Sequence, residues 1–459
     1  MIDNGREGAN GLNGANGHNG INGTNGHRTD RHSGSNGYAG GGASGNMDTL
    51  IDISVATNPR DLGSVQILLK QLNAGIMNLT ASNEINHELR QDLSTKARDI
   101  MLALETPRET SMKHIWGETG ATGAIAWGVD CGLWKLMARK GDGPQKVANL
   151  AEELGVDPVL LGRFMRHLGA MGYVTETGAD EYQPNNFSKS LSLDIVGDAY
   201  IALPASSGAS QLKFHEFNRN RGWKNPADSQ DTALHYAYKT DKNFFKFIEE
   251  QGYSKHFHNH MRGYRQGRLP WMAPGFFPVQ ERLVEGADKS PDAVLIVDIG
   301  GSVGHDLEEF RKYHPSTPGK LILQDLPAVI QNNKGLDPAI IPMEYNFLTE
   351  QPIKGARAYY MHSCLHDWPD SVCERILSRV KEAMRPGYSK VLINENVIPT
   401  TGAWWESSAL DMTMLATLSA RERTEADWYE LIEKKVGLKI VKIWSADRGV
   451  ESLIEVELE

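Results

Sequence analysis

From Met47 to about Thr106 apolar residues recur at helical spacing, as in Val65, Leu68, Leu69, Leu72 and Ile76, with Pro59 and Pro107 as punctuation. This pattern predicts the helices of a first folded domain. Gly128 to Lys140 is expected as one further helix carrying Leu133, Trp134, Leu136 and Met137. Val147–Leu154 and Leu160–Leu168 read as two helices joined by a turn at Asp157 and Pro158, followed by a hairpin at Gly172–Glu176 and Tyr182. That order is a helix-turn-helix with a wing. Residues 195–290 are helical and rich in aromatics, from Phe214 and Phe217 to Phe276 and Phe277; most should be core, and some would suit a flat apolar ligand. Beyond 291, buried strands at 293–298, 320–324, 339–343, 357–361 and 390–395 alternate with helices, and strands at 438–444 and 451–458 close the chain. The alternation predicts an α/β fold, a doubly wound, mostly parallel sheet with ligands at its carboxyl edge.

Composition sharpens the division of the chain. Asn-Gly recurs between positions 4 and 36, and residues 1–46 cannot offset their own ordering entropy, so a disordered tail is expected there. A mainly helical, winged-helix-like domain is expected at 47–194, and a ligand-binding α/β domain at 195–459 with a helical segment at 195–290. The net charge of −10 argues against nucleic acid as the main partner, and the second helix of the winged region offers only Arg163, Arg166 and His167. Packing or dimerisation is the better reading of that region. Three cysteines are too few for a disulfide framework and suit a reducing compartment. No apolar run has the length of a membrane span and the N-terminus lacks an apolar signal core, so a soluble, cytoplasmic protein is expected, with no membrane partner. His256, His258 and His260 stand at alternate positions, but no acidic or cysteine ligand sits beside them, and no metal is assigned.

The chemistry gathers at the strand ends. Asp298 closes the first strand and is followed by Gly300, Gly301 and Gly304, which let a ligand lie against backbone amides at a helix N-terminus. Asp325 ends the second strand, where a carboxylate can accept both hydrogen bonds of a ribose diol. The loop lacks the three-glycine pyrophosphate spacing and a P-loop lysine, so a nucleoside without phosphates fits better. His366, in Leu365-His-Asp-Trp-Pro-Asp370 after the fourth strand, can take a proton from a hydroxyl. Glu395, ending the fifth strand, and Glu422, in Arg421-Glu-Arg-Thr424, are candidates to hold its tautomer.

Taken together, Val297-Asp-Ile-Gly-Gly-Ser-Val-Gly304, Leu323-Gln-Asp-Leu-Pro327, Leu365–Asp370, Asn394-Glu395 and Asp411–Thr424 resemble, over residues 47–459, the S-adenosylmethionine-dependent O-methyltransferases of the plant caffeate type and their fungal secondary-metabolite relatives. The resemblance implies a Rossmann-like methyltransferase domain after a winged-helix dimerisation domain, and a homodimer. It implies that Gly300, Gly301 and Asp325 hold the methyl donor, with Asn346 and Phe347 near its adenine and His362 beside it. His366 would deprotonate a phenolic or enolic hydroxyl of a polyketide-like or aromatic metabolite, framed by Glu395 and Glu422. Ser302, Asn346 and His362 depart from the family's usual glycine, aspartate and lysine or arginine. The alternative is a donor-bound pericyclase or dehydratase of the same fold.

Overall fold

The computed structural model describes residues 51–80, 86–264, 266–333, 335–446 and 451–458; the expected tail at 1–46 lies outside them. Residues 53–459 form one compact unit.

Its first part is helical. Leu62–Thr80 and His87–Leu104 lead into Pro107–Met112, whose start is fixed by a Thr106/Glu109 capping box. The single helix expected at 128–140 is instead two, Thr119–Asp130 and Leu133–Lys140, separated at Gly132 with φ +82°. Trp134 accounts for the break. Its indole Nε1 donates to the Ile125 carbonyl at 3.0 Å, and a Cβ on Gly128 would meet that Nε1 at 2.7 Å, so the chain folds back to bury the ring. Helices Val147–Leu154 and Pro158–Ala170 follow, the second capped by Asp157, and then strands Thr175–Gly178 and Glu181–Gln183, joined by Gln145–Lys146 in a small antiparallel sheet. The aromatic stretch is less interior than its composition suggests. Phe217, Phe244, Phe247, Trp271, Phe276 and Phe277 are buried, whereas Trp223, Tyr238 and Phe245 are exposed.

The remainder is built on seven strands: β1 (Val294–Ile299), β2 (Lys320–Asp325), β3 (Ile340–Glu344), β4 (Ala358–His362), β5 (Lys390–Glu395), β6 (Lys439–Trp444) and β7 (Ser452–Glu457). Their order is β6-β7-β5-β4-β1-β2-β3, with β1 to β5 parallel and β7 antiparallel to both of its neighbours, β5 and β6, so that β7 alone runs against the rest. The order reverses between β1 and β4, which opens a crevice at the carboxyl ends of those strands.

Period-two alternation divides the sheet's side chains between two cores. Tyr359, Met361, Val391 and Ile393 pack with Cys373, Ile376 and Trp428 on one face. Ala358, Tyr360 and Leu392 pack with Trp271, Leu307 and Phe310 on the other. By the same alternation Glu395 belongs to the first face and His362 to the second. No helix among the described residues is long and apolar enough to cross a membrane.

Candidate active site

The loop after β1 is held by β2. The amides of Gly300 (φ +74°) and Gly301 donate to the Gln324 carbonyl at 2.8 and 3.2 Å. A Cβ on Gly301 would press on the Asp298 carboxylate and lie 2.6 Å from Leu323 Cδ1, so only glycine lets the backbone turn this closely. Ser302, at φ +55°, donates its amide to Asp325 Oδ2 at 2.8 Å, while the Leu326 amide takes Oδ1 at 2.7 Å. Burial pushes the Asp325 carboxyl above the usual carboxylate range, against the pull of these two amides. Below it, the buried Gln324 and Gln351 side chains exchange hydrogen bonds of 3.0 and 2.9 Å and fix the end of β2.

The other expected donor residues flank this loop. Asn346 caps its own turn through the Leu348 amide at 3.0 Å, and Phe347 meets Trp368 edge-on with ring centroids 6.0 Å apart. His362 Nδ1 lies 2.7 Å from Asp306 Oδ2, which also accepts the Tyr360 hydroxyl at 3.1 Å. Asp306 stands in the first turn of the helix His305–Tyr313, where a carboxylate suits the helix dipole. These features fit a nucleoside-bearing donor. The glycine backbone leaves room for it, and each Asp325 oxygen keeps a lone pair for a ribose hydroxyl beyond the amide it already holds.

His366 lies in the turn Leu365–Asp367 between β4 and the helix Asp370–Lys381. It is 7% exposed. Its Nδ1 is 2.6 Å from Glu422 Oε1 and 3.6 Å from Glu395 Oε2. Glu395, fully buried, spends its other oxygen on the turn itself, accepting the amides of Cys364, Leu365 and His366 at 2.8, 2.7 and 3.4 Å. Glu422 is aimed by Asp411, whose Oδ1 accepts its amide at 2.9 Å. Burial depresses the His366 pKa, but Glu395, Glu422 and Asp367 outweigh it and carry the group up to about 10. Asp367, 3.5 Å from the other ring nitrogen, Nε2, is pushed up to about 6 by burial, and burial likewise raises Glu422.

The structure therefore brings His366, Glu395 and Glu422 into one buried cluster and sets Gly300, Gly301, Asp325, Asn346, Phe347 and His362 along the neighbouring strand ends. Sequence reasoning passed over Asp306, Asp411 and Arg423. A buried-charge test on the Glu-Arg-Thr motif would have singled out Arg423, since an arginine with no exposed side chain must have fixed partners. The expectation that no acidic group stands beside these histidines fails at His256, although among the described residues neither His256 nor His260 falls in a group of three or more potential metal ligands. His256 meets Asp198 at 3.0 Å, and His260 packs beside the Tyr264 ring. The donor atoms of His366, Glu395 and Glu422 do lie within 4.8 Å of one another, a spacing a metal ion also accepts.

Residues 280–438 match the O-methyltransferase domain family. The O-methyltransferase mfmE of Annulohypoxylon moriforme is 35% identical over 398 residues, covering 86% of this chain and 96% of that protein. A solved structure of LepI in complex with SAM superposes with a TM-score of 0.76 at 27% identity, covering 86% of this chain and all of that one. A second solved structure, described as a pericyclic reaction enzyme, matches with the same TM-score of 0.76, identity of 27% and coverage of 86% and 100%. The glycine loop, the buried imidazole–carboxylate cluster and these likenesses place the chain in the family of S-adenosylmethionine-dependent O-methyltransferases of fungal secondary metabolism.

Proposed function

We propose that His366 is the general base of methyl transfer to a phenolic or enolic hydroxyl of a polyketide-like or aromatic metabolite. The observation that carries this reading is the 2.6 Å contact of His366 Nδ1 with Glu422 in a turn whose amides Glu395 holds. The donor supplies a sulfonium methyl group; the protein's residues orient it and manage one proton. Glu422 accepts Nδ1–H, so the remaining lone pair sits on Nε2, facing the acceptor. With donor bound, His366 would take the hydroxyl proton as the acceptor oxygen gains the methyl group, the displaced carbon–sulfur bonding pair staying with the departing thioether. An imidazolium–phenolate pair carries the same protons as imidazole–phenol. With His366 raised to about 10 and a phenol near the same value, about 10, the proton moves between them with little free-energy change. In this reading Gly300, Gly301 and Asp325 hold the donor, Asn346 and Phe347 border its adenine, and His362 is steadied beside it by Asp306.

Incubation with methyl-labelled donor and a panel of phenolic acceptors tests the base. Label in product, lost in His366→Ala with S-adenosylhomocysteine affinity kept, is the expected result; unchanged turnover in that variant would sink the assignment. A metal reading of the same three side chains predicts loss of turnover on dialysis against a chelator, whereas the base reading predicts none. The pericyclase-like structural neighbour favours one second reading, a donor-bound pericyclic or dehydration step. Tight donor binding with an isomerised or dehydrated product and no label transfer would establish it.

For the winged-helix-like region at 47–194 we propose dimerisation, with the protein acting as a cytoplasmic homodimer. The helix Leu62–Thr80 has no buried residue over 62–79, and it exposes Ile67 (61%) and Met77 (73%), while Trp116 nearby in sequence is 70% exposed. Light scattering should find a dimer that Ile67→Glu with Met77→Glu converts to monomer; a wild-type monomer would remove the proposal.

A further inference from the structure

We propose that Arg423 is the positioning residue that holds the His366 turn in its working geometry, an inference that rests on His366 being the base. The Arg423 side chain has no exposed surface. Its Nη1 donates to the Leu365 carbonyl and its Nη2 to the Trp368 carbonyl, both at 2.9 Å. These carbonyls bracket His366 and Asp367. Nε and Nη2 also reach Asp370 Oδ1 at 3.1 and 2.9 Å, Nη2 meets Cys373 Sγ at 3.2 Å, and the guanidinium lies over the Trp428 ring at 5.2 Å.

Two opposite charges thus grip one turn. Glu395 takes its amides and Arg423 takes its carbonyls. The backbone links them as well, because Arg423 pairs with Val397, two residues beyond Glu395, in a short parallel ribbon. Its preceding neighbour, Glu422, is the group that holds Nδ1. One side chain therefore sets the distance between the imidazole and both of its carboxylates.

Only a planar fork meets these demands. A lysine ammonium brings the charge but cannot span two carbonyls and a carboxylate at once. Asp370, by contrast, does not depend on Arg423 alone, since Arg421 and Lys435 reach its Oδ2 at 3.0 and 3.2 Å. The start of the helix Asp370–Lys381 therefore stays anchored when Arg423 is changed, and what is lost is the hold on residues 365–368.

The test compares Arg423→Lys with wild type and His366→Ala in the full chain, reading kcat, KM for the donor, S-adenosylhomocysteine affinity by calorimetry, and the pH profile. Displacing a reacting group by about 1 Å costs on the order of a hundredfold, so kcat should fall about that much in Arg423→Lys, with donor KM and affinity changed less than about twofold. Its pH–rate profile should also level off at lower pH than wild type, because an imidazole slack from Glu422 returns toward its ordinary value. Wild-type kcat in Arg423→Lys overturns the inference. So does a loss shared equally by kcat and donor affinity with an unshifted pH profile, the mark of a merely structural role. Should Arg423→Lys fail to fold, Arg423→Gln, which retains a donor for one carbonyl, carries the same readings. Turnover surviving in His366→Ala overturns the base assignment instead, whatever Arg423→Lys does.

Discussion

Replacing Glu422 by glutamine keeps the shape of the His366 cluster and removes one of its charges. Three carboxylates lift the imidazole from 6.5 to about 10 against the opposing effect of burial. At about 1.4 kcal/mol per pH unit, the folded protein favours the imidazolium by about 5 kcal/mol. Glu422 is the carboxylate nearest to Nδ1, at 2.6 Å against 3.6 Å for Glu395. Exchanging its charge-assisted bond for a neutral one should return about 2 kcal/mol of this. The imidazolium that forms as methyl transfer begins loses the same support, so kcat should drop about thirtyfold at about 1.4 kcal/mol per tenfold. A glutamine that turns its NH2 toward Nδ1 would reverse the tautomer and lower the rate further, by up to about 10⁴-fold as in a serine protease with the corresponding change. The assay is label transfer to a phenol under saturating donor, from pH 6 to 10. Because the proton-accepting form grows with pH, wild-type rates should climb across this range, and the Glu422→Gln profile should flatten one to two units lower, at about 1.4 kcal/mol per unit. A variant within twofold of wild type, with the same profile, would refute the claim that Glu422 sets the base.

Gly301→Ala would force a methyl against Asp298 and Leu323, and overpacking of this kind costs about 1–3 kcal/mol; calorimetry should find weakened S-adenosylhomocysteine binding and a lower melting temperature. Asp325→Ala should weaken the same ligand by about 1.5–3 kcal/mol, the worth of hydrogen bonds to a charged group, while the ribose-free acceptor's KM stays put. For His366 the folded pKa lies above the unfolded value of 6.5, so its stabilisation is complete below that value and is lost as pH rises through about 10. The gap in urea midpoint between wild type and His366→Gln should therefore narrow between pH 6 and 10. Asp370 runs the other way: burial pushes it up, but Arg423, Arg421 and Lys435 outweigh this and hold it at about 2, below its usual 3.8. Its stabilisation is present above about 3.8 and fades as pH falls toward 2, so Asp370→Asn should melt lower at pH 7 and approach wild type in acid.

The centre of the large sheet was legible because β1, β2, β4 and β5 are buried on both faces and read as apolar runs, whereas the edge strands β3 and β6 are largely exposed; each strand was expected within a residue or two of where it lies. His366, Glu395 and Glu422 could be named from motif and strand end, but not their distances, since 56 residues separate His366 from Glu422 and only the fold closes that gap. The break at Gly132 was hidden because Trp134 fits a helical apolar stripe equally well; what separates the helices is where its indole hydrogen goes. Asp306 looked like an ordinary acidic first-turn residue, and its bond to His362 depends on the face to which β4 turns. Arg423 sat inside a quoted motif, yet a charged residue in a string carries no sign of whether water reaches it.

Four positions separate His362 from His366, and in that span the chain passes from one face of the sheet to the other. His362 joins Asp306 and Tyr360 on the side of the helix His305–Tyr313, whereas His366 joins Glu395 and Glu422 on the side of the helix Asp370–Lys381. The end of β4 is thus a partition wall with separate fittings on each side. Under the proposed assignment of His366 as base, changes to the rooms on its side should retune which hydroxyl is presented while the His362–Asp306 contact stands, which makes that side the place to begin when redirecting such a protein to a new alcohol.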